Sequence, residues 1–240
     1  MNKIYNLLEW DTRFFGYKVA SIRSMNLGST EFNETVAELK NQNVKLIYCF
    51  ADHEDEISND SFGKIAGSPV DKKVTFFIKI SEENDFERDP YILSYRLPHA
   101  SEKLKSLALQ SGLYSRFKTD LNFQNNEYEK LYLEWIEKSV EKVIAEEILV
   151  YSENNDEKGL ITLGLKGNEG SIGLLAVDEK ERGKSIGRKL VLAGFSYFKD
   201  KKVNIAEVVT QLDNKGACQF YESLGFQVKN IVNIYHLWIS

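Results

Sequence analysis

The stretch Gly173–Arg188, GLLAVDEKERGKSIGR, restricts the possible folds of this chain more than any other. An apolar run ends at Val177, and a charged loop with a glycine covers Asp178–Lys184. From Ser185 to Asp200 the apolar residues Ile186, Leu190, Ala193 and Tyr197 then fall on one helical face. The change of period predicts a strand, a tight loop and a helix in sequence. The first N–H groups of such a helix lack intrahelical partners, and its dipole favours an anion. Gly183 and Gly187 remove side chains that would hold a diphosphate away, and Arg182, Lys184 and Arg188 bring positive charge to the same place. The segment reads chemically as a phosphate or pyrophosphate cradle, and structurally as a solvated turn with ordinary surface charges. Neither GxxxxGK followed by Ser or Thr, nor GxGxxG, occurs here.

The neighbouring segments predict a mixed sheet with helices on its faces, an α/β (α+β) class. Glu147–Ser152 reads as a strand, and Leu160–Lys166 and Ser171–Val177 flank the turn Gly167–Gly170 as a hairpin. Val203–Thr210 follows as a strand, Lys215–Leu224 as a helix closed by Gly225, and Val228–Ile239 as the last strand. In the first half, Tyr17–Ser24, Val44–Phe50 and Lys73–Ile80 read as strands, and Thr30–Gln42 as a helix capped by Ser29 or Thr30. Ala51–Pro69 reads as a loop with a short helix, and Glu82–Asp89 as a connector. Helices are expected at Ser101–Gln110, ended by Gly112, and at Asn126–Val143. A boundary near residues 95–125 gives an N-terminal partial α/β domain (1–110) and a C-terminal domain (111–240).

Composition removes several function classes. Lys and Arg number 31 against 36 Asp and Glu, a net charge of −5, so a general nucleic-acid binder is not expected. No apolar run approaches the ~20 residues a membrane helix needs. The opening MNKIYNLLEWDTRFFG has acids and a tryptophan where a signal peptide has unbroken apolar residues, so a cytoplasmic location is expected. Cys49 and Cys218 are far apart and read as reduced, partly buried thiols. His53, His99 and His236 are isolated, so no metal site is expected.

Arg182-Gly-Lys-Ser-Ile-Gly187 resembles the Q/R-x-x-G-x-G/A motif of the GNAT acyltransferases, with Ser185 where that family usually has glycine. Asn214-x-x-Ala217-x-x-x-Tyr221-x-x-x-Gly225-Phe226 is similar to the same family's NxxAxxxYxxxGF segment. On the residues alone, Ala217 and Tyr221 share a helix face, and Tyr221 could be only a core tyrosine. The resemblance implies a GNAT acyl-CoA N-acyltransferase fold and acetyl-CoA as co-substrate, without a metal. Leu175, Ala176, Val177, Arg182, Gly183, Lys184, Ser185, Ile186, Gly187, Arg188, Asn214 and Ala217 would bind acetyl-CoA, and Tyr221 would be the general acid. A phenol is close enough in pKa to a thiol to protonate it.

Four further strings are WDTRFFG (Trp10–Gly16), SRFKTD (Ser115–Asp120), VTQLDN (Val209–Asn214) and YHLW (Tyr235–Trp238). Together they resemble the dTDP-fucosamine acetyltransferases, which act on dTDP-4-amino-4,6-dideoxygalactose and carry an N-terminal partial GNAT-like domain. That resemblance implies acetyl transfer to a nucleotide-linked amino sugar, a precursor of surface polysaccharide, by direct attack in a ternary complex. Trp10, Asp11, Phe14, Phe15, Arg116 and Gln211 would hold the acceptor. Each string also has a plain reading: WDTRFFG as a core strand and turn, SRFKTD as a solvated loop, and His236 as a packed residue. No base is evident; Glu169 and Asp178 flank the strand without an assigned role. Other acceptors compatible with the cradle are a different small amine or a protein N-terminus. A non-catalytic CoA binder or a plain interaction module are the other classes. The apolar C-terminal strand, read as an edge, gives a hint of a homodimer.

Overall fold

A computed structural model describes residues 4–23, 27–81 and 89–239. The chain forms β1 (Tyr5–Leu7), α1 (Glu9–Phe15), β2 (Lys18–Arg23), α2 (Ser29–Asn41), β3 (Val44–Asp52), α3 (Glu56–Ala66) and β4 (Asp71–Lys79). It continues with β5 (Ile92–Ser94), α4 (Glu102–Ser111), the single turn α5 (Arg116–Thr119) and α6 (Glu127–Val140). The last part is β6 (Glu147–Glu153), β7 (Asp156–Lys166), β8 (Glu169–Val177), α7 (Ile186–Asp200), β9 (Ile205–Gln211), α8 (Lys215–Ser223) and β10 (Gln227–Trp238). The expected connector falls at residues 82–88, outside the described residues. Two compact units result: Met1–Val74 with Gln211–Asp213 and Asn230–Ser240, and Thr75–Thr210 with Asn214–Lys229. This grouping is discontinuous in sequence and does not follow the 110/111 division.

In the first unit the strand order is β1-β2-β3-β10, with β2 parallel to β3 and β10 antiparallel to it. Helices α2 and α3 supply Phe32, Leu39 and Phe62 to a core completed by Ile22, Ile47, Cys49, Tyr235 and Leu237. The alternation along YHLW holds: Tyr235 and Leu237 enter this core, while His236 packs 5.0 Å from the Tyr48 ring and Trp238 5.8 Å from Tyr17.

Four expectations are corrected here. β10 is not an edge strand: Val232–Trp238 pair with β3, and on the other side the Ile234 carbonyl accepts from the Val70 N–H at 2.8 Å. The hint of a homodimer therefore loses its basis. WDTRFFG is neither strand nor buried core. It is the helix α1, without a buried residue, ended by Gly16 at φ 77°. Ala51–Pro69 is mostly the full helix α3, capped by Asp55. Its buried face includes Ser58 and Ser61, so an apolar period is hard to see. Helix α2 starts one residue early, after Gly28, and neither Ser29 nor Thr30 caps it.

In the second unit the order is β4-β9-β8-β7-β6-β5, with β8 parallel to β9 and the β5-to-β8 pairs antiparallel. Helix α4 packs on β7 and β8 and against α6, and α7 packs on β5 to β8. Gly170 permits the approach of α7, since a Cβ there would stand 2.7 Å from the Phe198 ring.

Candidate active site

The site begins with an irregularity in β8. Opposite Thr162, β8 carries two residues, Gly173 and Leu174, so the register shifts between Ile161 and Leu163. The buried Leu174 N–H donates to Thr162 Oγ1 at 2.7 Å, which replaces the lost ladder bond. Past this bulge, Asp178 N–H donates to the Lys158 carbonyl at 2.9 Å. Antiparallel alternation then turns the N–H and C=O groups of Leu175 and Val177 away from β7. On that side the parallel register with β9 ends at Ile172 and Val208. The end of β8 thus presents backbone groups toward a place where the sheet has stopped pairing.

The chain leaves β8 through a 3₁₀ turn, Glu179–Glu181, capped by Asp178, whose carboxylate accepts from the Lys180 N–H at 3.0 Å. Asp178 is buried and paired with Lys103, whose ammonium holds its carboxyl below the usual value. That makes Asp178 a poor proton acceptor. Gly183 (φ 80°) and Ser185 (φ 62°) both lie in the left-handed region. Ser185 occupies the N-cap of α7 but makes no side-chain cap bond. Its fit is therefore a matter of backbone conformation, not of capping. Gly187 lies close to Phe220, since a Cβ there would be 3.3 Å from the ring and 3.6 Å from Val177.

A cavity of about 400 Å³ opens at this turn, lined by Val177, Glu181, Arg182, Gly183, Ser185, Ile186, Gly187, Arg188 and Phe220, with Ser223 and Leu224. A second cavity, about 360 Å³, shares Val177, Arg182, Gly187 and Phe220 with it and extends along Leu175 and Ala176 to Asn214, Ala217 and Tyr221. Its remaining wall is Gln110, Ser111, Leu113, Tyr114 and Gly216, which sequence reasoning missed. Gly112 had marked only the end of α4; the exposed apolar pair Leu113 and Tyr114 after it was the available signal.

Asn214 caps α8, its Oδ1 accepting from the Ala217 N–H at 3.2 Å. Tyr221 is 5% exposed, between Phe76, Phe220 and Phe226, and burial pushes its phenol above the ordinary value. Arg182 bridges the two cavities, its Nε donating to the Val177 carbonyl at 3.3 Å. Lys184 lines neither cavity and pairs with Glu181 at 2.9 Å.

The expected acceptor residues do not line either cavity. Trp10, Asp11, Phe14 and Phe15 lie on α1 and Gln211 ends β9, all in the first unit. Trp10 stacks on Phe14 with centroids 4.9 Å apart and is 43% exposed. Arg116 is on α5, not in a loop, with its guanidinium 4.5 Å from the centre of the Phe117 ring. Among the described residues no three His, Cys, Asp or Glu side chains are grouped to hold a metal, and no helix is long and apolar enough to cross a membrane.

Residues 111–226 match the model of the Acetyltransferase (GNAT) family. Particular relatives are more distant. A stretch of 56 residues is 39% identical to an uncharacterised N-acetyltransferase of Methanocaldococcus jannaschii, covering 23% of this chain and 25% of that one. Another of 63 residues is 35% identical to a mycothiol acetyltransferase of Thermobispora bispora, over 26% and 21% of the two chains. The chain thus spans a quarter or less of the length of these curated relatives. A GCN5-related N-acetyltransferase from Sphaerobacter thermophilus superposes with a TM-score of 0.58 at 14% identity, covering 97% of this chain and 75% of the other. A functionally unknown conserved protein from Staphylococcus epidermidis gives 0.61 at 13%, over 92% and 85%. At such identities the likeness speaks for the fold, which is the mixed α/β fold of the GNAT acetyltransferases.

Proposed function

We propose that the protein is an acetyl-CoA-dependent N-acetyltransferase whose acceptor is the amine of a nucleotide-linked amino sugar, of the dTDP-4-amino-4,6-dideoxyhexose kind. The observation that carries the transferase reading is the end of β8, where the backbone groups of Leu175 and Val177, turned away from β7 and beyond the pairing with β9, adjoin an anion cradle at the start of α7. The pantetheine amides of acetyl-CoA would pair along Leu175–Val177, with the diphosphate at Gly183–Arg188. One N–H of the strand end would stabilise the oxyanion as the amine attacks the thioester carbonyl carbon. The C–S bond then breaks, and Tyr221 supports the leaving sulfur with its hydroxyl. Neither an acyl-enzyme nor a metal enters this scheme: the amine arrives neutral or first loses its proton to water, its nitrogen gives up a further proton to water as the tetrahedral adduct collapses to the amide, and the departing sulfur takes the Tyr221 proton, which solvent restores. Its setting would be the cytoplasm, where both co-substrates are made.

The sugar-nucleotide half of the reading rests on the WDTRFFG and SRFKTD strings. The stacked, half-exposed Trp10 and Phe14 suit a nucleobase. A second reading, another small amine, is favoured by one fact: Arg116 lines neither cavity. A panel of dTDP- and UDP-amino sugars, polyamines and N-terminal peptides, assayed for released CoA, decides between them. Turnover is expected with a dTDP-4-amino sugar at a kcat/KM at least tenfold above any non-nucleotide amine. The reverse order overturns the sugar-nucleotide reading.

A further inference from the structure

We infer that Glu181 sets the grip of the cradle by competing with the bound phosphates for Lys184. The inference rests on reading that cavity as the diphosphate site of acetyl-CoA. An anion site is expected to be lined by cations and N–H groups, yet Glu181 lines this one beside Arg182 and Arg188. Its Oε2 stands 2.9 Å from Lys184 Nζ and 3.7 Å from Lys158 Nζ. Lys158 is anchored from behind by Glu153, which also accepts from the Tyr151 hydroxyl at 2.9 Å.

The exposures differ in a telling way. The side chain of Lys184 is 61% exposed, whereas those of Glu181 and Lys158 are 21% and 17%. Glu181 and Lys158 are therefore the fixed pair, and Lys184 is the partner free to leave. When Lys184 turns to a phosphate, Glu181 keeps Lys158 and is not left as an uncompensated charge beside an anion. The net gain from the Lys184–phosphate contact is then only its excess over Lys184–Glu181. Such an exchange weakens the hold on CoA and speeds its departure after transfer, a step that often limits turnover.

A four-protein cycle tests this: wild type, Glu181→Gln, Lys184→Met and the double variant. Kd for acetyl-CoA is measured by calorimetry at fixed ionic strength, with the rate of CoA release by stopped flow. Glu181→Gln is expected to tighten acetyl-CoA roughly threefold to tenfold and to slow CoA release. Lys184→Met is expected to weaken binding at least threefold more in the Glu181→Gln background than in the wild type, because only there is the lysine wholly available. Independent, multiplying effects of the two substitutions overturn the exchange, as does weaker binding in Glu181→Gln. A wild type that does not bind acetyl-CoA overturns this inference together with the transferase reading, whereas binding with independent effects overturns this inference alone.

Discussion

In the proposed reaction Tyr221 is the general acid that serves the leaving sulfur. Burial removes the water a phenolate would need, so the group holds its proton more tightly than an ordinary tyrosine. It should act by hydrogen bonding to the departing sulfur, with full proton transfer only as thiolate charge develops. Tyr221→Phe keeps the ring among Phe76, Phe220 and Phe226, and kcat is expected to fall about 100-fold, at the low end for a general acid, with the acetyl-CoA Kd unchanged. Because a raised pKa keeps the hydroxyl protonated, kcat should show no falling limb below about pH 10; such a limb would assign the acid to another group. Ser185 illustrates a different limit on what the sequence says. The departure from glycine was visible, but its meaning depends on φ 62°, which no residue pattern reports. Ser185→Gly relieves a left-handed residue that makes no cap bond, at the cost of a freer unfolded chain. A net gain of about 0.5–1 kcal/mol is expected in urea unfolding; a loss would show that the hydroxyl stabilises the turn.

Among the elements, long periodic segments were legible and irregular ones were not. α7, α8, β7 and β8 fall within a few residues of their expected spans, since amphipathic period and the Gly167 turn dictate them. α1 was missed because none of its residues is buried, so no core face marks its period. β5 has three residues, too few to show any period. The bulge in β8 left no mark in the sequence, because one threonine and one glycine look ordinary until their partners are known. It can be tested through Thr162→Val, which keeps shape but leaves the buried Leu174 N–H without its acceptor. Stability should fall by about 1–3 kcal/mol. The backbone of Leu175–Val177 should shift with it, so kcat/KM is expected to drop at least tenfold in the variant that remains folded. Unchanged kinetics in a destabilised Thr162→Val would separate the bulge from the reaction.

At the scale of the molecule, the two units should answer differently to the two substrates. Acetyl-CoA at a hundred times its Kd adds about 2.7 kcal/mol to whatever equilibrium unfolds the unit that binds it. The proposed contacts, at the end of β8, the start of α7 and α8, all belong to the second unit. Hydrogen exchange is therefore expected to slow at Gly183–Arg188 and along α8 when acetyl-CoA is added, with α2 and α3 unaffected. Gly187→Glu should abolish that slowing, because the added side chain starts 3.3 Å from Phe220 and carries a negative charge into the cradle. The acceptor gives the opposite pattern. If Trp10 and Phe14 stack on a nucleobase, a dTDP-amino sugar slows exchange within Glu9–Phe15, a helix with no buried residue and hence little protection of its own. Arg116→Ala should then raise the KM for that substrate and leave the acetyl-CoA Kd within about twofold. Turnover of the sugar nucleotide without any change in α1 would remove Trp10 and Phe14 from the acceptor site. Unaltered exchange at Gly183–Arg188 under saturating acetyl-CoA would remove the cradle itself, because a ligand held by those N–H groups must protect them.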